Sequence, residues 1–199
     1  MNQVIEDFFN KYVFGWMFTD VRICVDGGAN FGGTALICSY IDSMGKFYLG
    51  ITEDKQSEMR FTEFMNDFFD SEYKDFSKFI YTDYRCGLLH QFFPKKGAGV
   101  IRGKDNREYH LKLHKDTEII PINLTVFYED FQLAVKKYYE KLKIDAKLQD
   151  NFFKVYESMN SETSANYQEL LGKTSYTYVY GPHSSTISAG IIINKQEKK

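Results

Sequence analysis

Hydrophobic positions recur at helical spacing through most of the chain and give way to alternation in two places. Over residues 3–19, Val4, Phe8, Tyr12 and Trp16 share a helical face, which Ile5, Phe9 and Phe14 widen. The pattern reaches Cys24 and is broken by Asp26-Gly27-Gly28. Ala29 to Met44 predicts a second helix, with Gly45 as its C-terminal stop. Its small residues Gly32, Gly33, Thr34 and Ala35 allow a neighbouring helix to approach closely. Ser57 is a natural N-cap for a third helix running to about Phe69. A fourth starts near Ser71, with Tyr73, Phe76, Ile80, Tyr84 and Leu88 on one face. Pro94 places its end near Phe92, because the residue before a proline is driven out of the helical region.

After Lys95-Lys96-Gly97 the period changes to two. GVIRG and EYHLKLH flank KDNR, which predicts a β-hairpin, and Ile119–Ile122 forms a short third strand. From Asn123, a capping residue, the helical pattern returns to about Ile144 through Phe127, Phe131, Ala134, Tyr138 and Leu142. A further helix is expected over Ala146–Met159 and a turn at Ala165–Leu171. The tail alternates again around GPHSS, as a second hairpin does. The expected fold is mainly α and a single domain over 1–199. A helical bundle takes 1–93 and 123–171, a β-hairpin is inserted at 98–122, and a β-rich tail occupies 172–199.

Length and composition fit that picture. A chain of 199 residues can bury a substantial core. With 18 Phe and 15 Tyr, aromatic rings must do much of the packing that leucine usually does. Three cysteines without Cys-x-x-Cys spacing point to a reduced, intracellular protein. Glu6 and Asp7 stand where a signal peptide needs basic residues, and no apolar run is long enough for a bilayer. A soluble, cytoplasmic protein without membrane contact is expected.

The net charge of −2 hides an asymmetry. Residues 1–70 hold five Lys/Arg against eleven Asp/Glu, whereas residues 95–115 hold seven against two. The second stretch offers a polyanion a local basic surface that the whole protein does not.

The sharpest chemistry lies in FIYTDYRCGLLHQFFP, residues 79–94, where Arg85 and His90 stand close together in an apolar context. Arginine holds a phosphate with a planar fork of donors, and histidine exchanges protons near neutral pH. Lys74, Lys78 and Tyr81 lead up to Arg85 at helical spacing, and Lys95, Lys96 and Arg102 follow it. These lysines and Arg102 are weaker candidates for phosphate contacts. On an ideal helix, five residues separate two side chains by about 140°. Arg85 and His90 therefore need an altered last turn or a second subunit to act together.

Two other stretches carry candidate chemistry. VRICVDGGANFGGT predicts a strand, a glycine-rich turn and a helix start, so Asp26–Thr34 approximates a phosphate loop of an NTP-binding enzyme. Gly33, however, occupies the place of its lysine. His110 and His114 flank Lys112 on the polar face of a predicted strand, about 13 Å apart at ~3.3 Å per residue, too far to share a metal. No metal, cofactor or nucleophile elbow is expected.

RCGLLH, residues 85–90, at the end of a long helix in a small helical protein, resembles the HEPN superfamily (higher eukaryotes and prokaryotes nucleotide-binding). Its signature is an arginine, four to six residues, then a histidine. Many members are metal-independent ribonucleases of toxin–antitoxin, phage-defence and RNA-processing systems, in which two subunits or domains bring the pair together. The resemblance implies that Arg85 stabilises the phosphate and His90 transfers a proton during attack by the ribose 2′-hydroxyl. It implies a homodimer, and an RNA, nucleotide or antitoxin-like protein as partner. Active members often carry a polar residue directly after the arginine, and this chain has Cys86. The alternative it leaves is a non-catalytic module that binds a nucleotide, RNA or protein.

Overall fold

The computed structural model describes residues 2–161. The expected turn at 165–171 and the tail at 172–199 lie outside the described residues. The architecture is mainly helical. Gln3–Phe8 (α1), a π-helical stretch Phe9–Met17 and Phe18–Gly27 (α2) follow one another without a break. Asn30–Leu49 (α3), Ser57–Phe68 (α4), Ser77–Phe79 (α5), Cys86–Gln91 (α6), Leu124–Leu142 (α7) and Ala146–Ser161 (α8) are the further α-helices among the described residues. Among the described residues no helix is long and apolar enough to cross a membrane.

α3 is the axis of the assembly. It packs against α2, α4, α7, α8 and the π-helical segment Ile80–Arg85. It does not stop at Gly45 as its sequence predicts. It runs on to Leu49 and ends at Gly50, whose φ of 65° gives the left-handed cap. Gly45 instead lies inside the helix, pressed against α4: a Cβ there would come 2.7 Å from the Arg60 carbonyl carbon. Gly33 has the packing role expected of it, with Leu124 and Cys24 side chains against it.

The core is aromatic, as the composition requires. Phe8, Phe47 and Phe152, from α1, α3 and α8, meet with ring centroids 5.1 to 5.2 Å apart. The first helix buries part of the expected face, Phe8 with Ile5 and Phe9, but centres it away from Val4 and Trp16. Ile5, Phe9 and Val13 are fully buried, while Val4 and Trp16 are exposed. The π-helical stretch changes the angular step after Phe8, so counting at 3.6 residues per turn misplaces Trp16.

The expected long helix over 71–92 is composite. A 3-10 turn at Ser71–Tyr73 precedes α5, which passes through the π-helical Ile80–Arg85 into α6. Phe92, with φ of 68°, ends it two residues before Pro94. The chain then doubles back, and the Lys95 N–H donates to the Asp83 carbonyl at 2.9 Å. Gly87 makes room for this return, since a Cβ there would meet the Phe93 carbonyl oxygen at 2.7 Å.

The inserted β-hairpin at 98–122 does not form. Ala98–Ile101 (β1) pairs in parallel with Ile120–Asn123 (β2), in the register Ala98 with Ile120 and Ile101 with Asn123. KDNREY is a 3-10 helix, and EYHLKLH is not a strand. Two local facts override the alternating pattern. Leu111 takes φ of 55°, which breaks an extended run. His110, expected on a polar face, is buried instead. The expected third strand is the one that pairs.

Tyr84 ties this small sheet to the bundle. Its hydroxyl oxygen accepts the N–H groups of Gly99 and Ile122, both at 3.0 Å. Its proton goes to the carbonyl of Gly99 at 2.7 Å or Ile120 at 2.5 Å. Asn123 then caps α7, as expected, accepting from the Thr125 and Val126 N–H groups.

His110 completes the junction. Its Nδ1 accepts the Asn123 N–H at 3.0 Å, so the neutral ring carries its proton on Nε2. Nε2 donates to the Tyr73 hydroxyl at 2.8 Å, and Tyr73 donates to Asp130 at 2.7 Å. Burial, with Arg107 adding to it, lowers the His110 pKa to about 4. The folded state thus resists a proton that the unfolded chain takes up near pH 6.5. The corresponding stability is complete above pH 6.5 and is lost as pH falls toward 4. Asp130, its carboxyl pushed up by burial, opposes the change as pH falls. Between pH 7 and 4 the wild type should lose about 3 kcal/mol more than His110→Gln in urea unfolding. Parallel curves for the two proteins would show that His110 does not titrate in this way.

Candidate functional site

Arg85 sits where the π-helical segment passes into α6, and its side chain points at α3 rather than straight to solvent. Its Nη2 donates to Asp42 Oδ2 at 2.9 Å, and its guanidinium lies over the Tyr81 ring at 5.4 Å. The side chain keeps 18% of its surface exposed. Asp42 is itself buried on α3 and serves a second arginine. Arg60, 1% exposed on α4, donates Nε and Nη2 to Asp42 Oδ1 at 3.2 and 3.1 Å. The Ser57 hydroxyl adds a bond to Oδ2 at 2.7 Å, in place of the capping role its sequence suggests. Arg60 Nη1 reaches the Glu53 carbonyl.

The electrostatic consequence is a local surplus. One carboxylate stands between two guanidiniums, so the cluster keeps about one positive charge, and Arg85 is its exposed member. Burial lowers the Arg85 pKa, but Asp42, Tyr81 and Cys86 together outweigh it and raise the value overall, so the group stays charged. Arg85 Nε is buried and unpartnered. Behind the cluster, the buried Cys38 thiol is held protonated by burial, against the pull of Arg85. All three cysteines are free.

His90 lies in the last turn of α6, exposed, with no hydrogen bond or ion pair among the described residues. Within one chain the two motif residues diverge, Arg85 toward α3 and His90 toward solvent. Beside His90 the surface is apolar: Leu89, Phe92 and Phe93 are all exposed, Phe92 by 70%.

The weaker candidates are scattered. Lys74 falls in the turn between the 3-10 segment and α5, outside the helix, so the Lys74–Lys78–Tyr81–Arg85 stripe is not one helical face. Lys78 pairs with Glu58 at 3.4 Å on the surface. Lys95 returns over the helix through its backbone bond to Asp83, and Lys96 is exposed next to it. Arg102 packs its guanidinium against Gly28 at the α2–α3 turn. Asp26–Thr34 joins two helices, and the strand that a phosphate loop requires is helix α2. Among the described residues no cluster of three or more His, Cys, Asp or Glu could hold a metal ion.

Sequence reading missed Asp42 and Arg60. The available signal was a lone carboxylate in the apolar run ICSYIDSMG, where a buried charge requires a partner. No family model, curated protein or solved structure matches the chain.

Proposed function

We propose that the chain is a HEPN-like endoribonuclease that cuts RNA without a metal, with two copies placing Arg85 of one near His90 of the other. Arg85 holds the scissile phosphate and stabilises the charge that builds on it. His90 takes the 2′-hydroxyl proton, and a protonated imidazole returns one to the leaving oxygen. The observation that carries this reading is the two-arginine cluster on Asp42, which fixes the Arg85 guanidinium in place without fully neutralising it. His90, free of partners in the last helical turn, is available for proton transfer. The exposed Leu89, Phe92 and Phe93 offer a second copy an apolar surface beside it.

A second reading is a binding module without catalysis. It is favoured by Cys86, a weak hydrogen-bonding group after Arg85, and by the commitment of Arg85 Nη2 to Asp42. Cleavage of a labelled RNA in EDTA separates the two. The nuclease should lose at least about a hundredfold in rate as His90→Ala, with a melting temperature close to wild type because His90 is exposed. Retained cleavage in that variant removes His90 from the mechanism, and binding of RNA that is never cut establishes the module.

A further inference from the structure

A second place in the fold has the chemistry of a nucleic-acid contact and lies outside the Arg85–His90 motif. The segment between β1 and β2 encloses an open groove of about 750 Å³, within the ~300–1,000 Å³ range of small-molecule sites. Ile101, Leu113 and Pro121 supply apolar lining, and Asn106 a polar edge. Tyr109, 49% exposed, lines it too. Lys112, His114 and Lys115 line the same groove, against the single carboxylate of Glu108.

The groove is held in shape by the backbone. Leu111 and Glu118 both adopt left-handed φ values, 55° and 53°, and bracket the run 112–117, which is exposed throughout. The His114 N–H donates to the Ile119 carbonyl, and the Leu111 N–H to the Pro121 carbonyl, both at 2.8 Å. His110, next to Leu111, anchors this lobe to the bundle through Asn123 and Tyr73. Neither lysine has an ion pair among the described residues. An exposed aromatic ring that shares its groove with two unpaired lysines, on a lobe fixed before binding, suits a base stacked on the ring with its phosphates held by the lysines. It does not suit a duplex, whose bases are turned inward.

We propose that this groove binds single-stranded RNA, one base stacking on Tyr109 while Lys112 and Lys115 hold the flanking phosphates. The identity of the ligand rests on the RNA reading above, but the site is separate from Arg85 and His90.

Anisotropy of a labelled 2′-O-methyl oligouridine, which cannot be cut, tests it on the wild-type chain. Tyr109→Ala should weaken binding about tenfold, and Tyr109→Phe should restore it. Lys112→Ala with Lys115→Ala should lower the slope of log affinity against log salt by about 1.4. A blunt RNA duplex should show no dependence on Tyr109. All the substituted side chains are exposed, and unchanged circular dichroism verifies the fold. If these variants bind as wild type does, the groove proposal is wrong, even where His90-dependent cleavage persists. Tyr109-dependent binding without any His90-dependent cleavage keeps the groove and removes the nuclease. No binding by the wild type overturns the groove outright.

Discussion

Gly45→Ala is expected to lower the free energy of unfolding by about 3 kcal/mol. The added methyl would collide with the Arg60 carbonyl group, which belongs to the α4 backbone and cannot rotate away. α3 and α4 must separate, and their separation loosens the Arg60 bonds to Asp42, the carboxylate shared by the two guanidiniums of the cluster. Gly32→Ala on the same helix is the control. Its Cβ would meet only the Ala29 methyl, at an ordinary 3.8 Å, so alanine should gain several tenths of a kcal/mol of helix propensity. Urea unfolding midpoints at equal m-value measure both. Similar midpoints for the two variants would mean that the α3–α4 contact gives way easily. Because Arg60 holds the Asp42 carboxylate to which Arg85 also bonds, Gly45→Ala should also reduce any Arg85-dependent activity.

Tyr84→Phe is expected to cost about 3 kcal/mol, although it removes one oxygen and leaves the ring in place. The hydroxyl is the acceptor for the Gly99 and Ile122 N–H groups, and it donates into the same two strands. Phenylalanine leaves two backbone donors without their acceptor, one of them on the fully buried Ile122. The effect should concentrate in the sheet, with amide exchange at Gly99 and Ile122 accelerating before that of α3 or α7. A loss below about 0.5 kcal/mol, with exchange at those amides unchanged, would falsify the view that this hydroxyl holds the sheet to the helix carrying Arg85. Tyr84 directly precedes Arg85, so the sheet, the motif helix and α3 are set by one short run of chain.

How much of the site was legible follows from the kind of interaction. Arg85 and His90 stand out in sequence because charged and titratable residues are rare in an apolar helix. The partner that positions Arg85 does not, because Asp42 lies 43 residues earlier and only the packing of α3 on α4 and the motif helix brings them together. The Tyr73–His110–Asp130 chain spans 37 and 57 residues and is invisible for the same reason. The hairpin misreading is more instructive. EYHLKLH alternates as a strand should, yet His110 gains two buried hydrogen bonds by turning inward and Leu111 leaves the extended region. Tertiary bonds outweighed a local period.

By itself the sequence determined that the chain is mainly helical, that its core is aromatic, that Gly27–Gly28 breaks the first helix and that Asn123 starts α7. Each of these depends on spacing, capping or side-chain size within one or two turns. Only the tertiary structure decided that Gly45 is a contact and not a stop, that the two short strands run parallel, and that a buried carboxylate holds Arg85 beside a second arginine. These outcomes depend on close approach between distant segments and on satisfying buried polar groups, and neither is encoded in a local pattern.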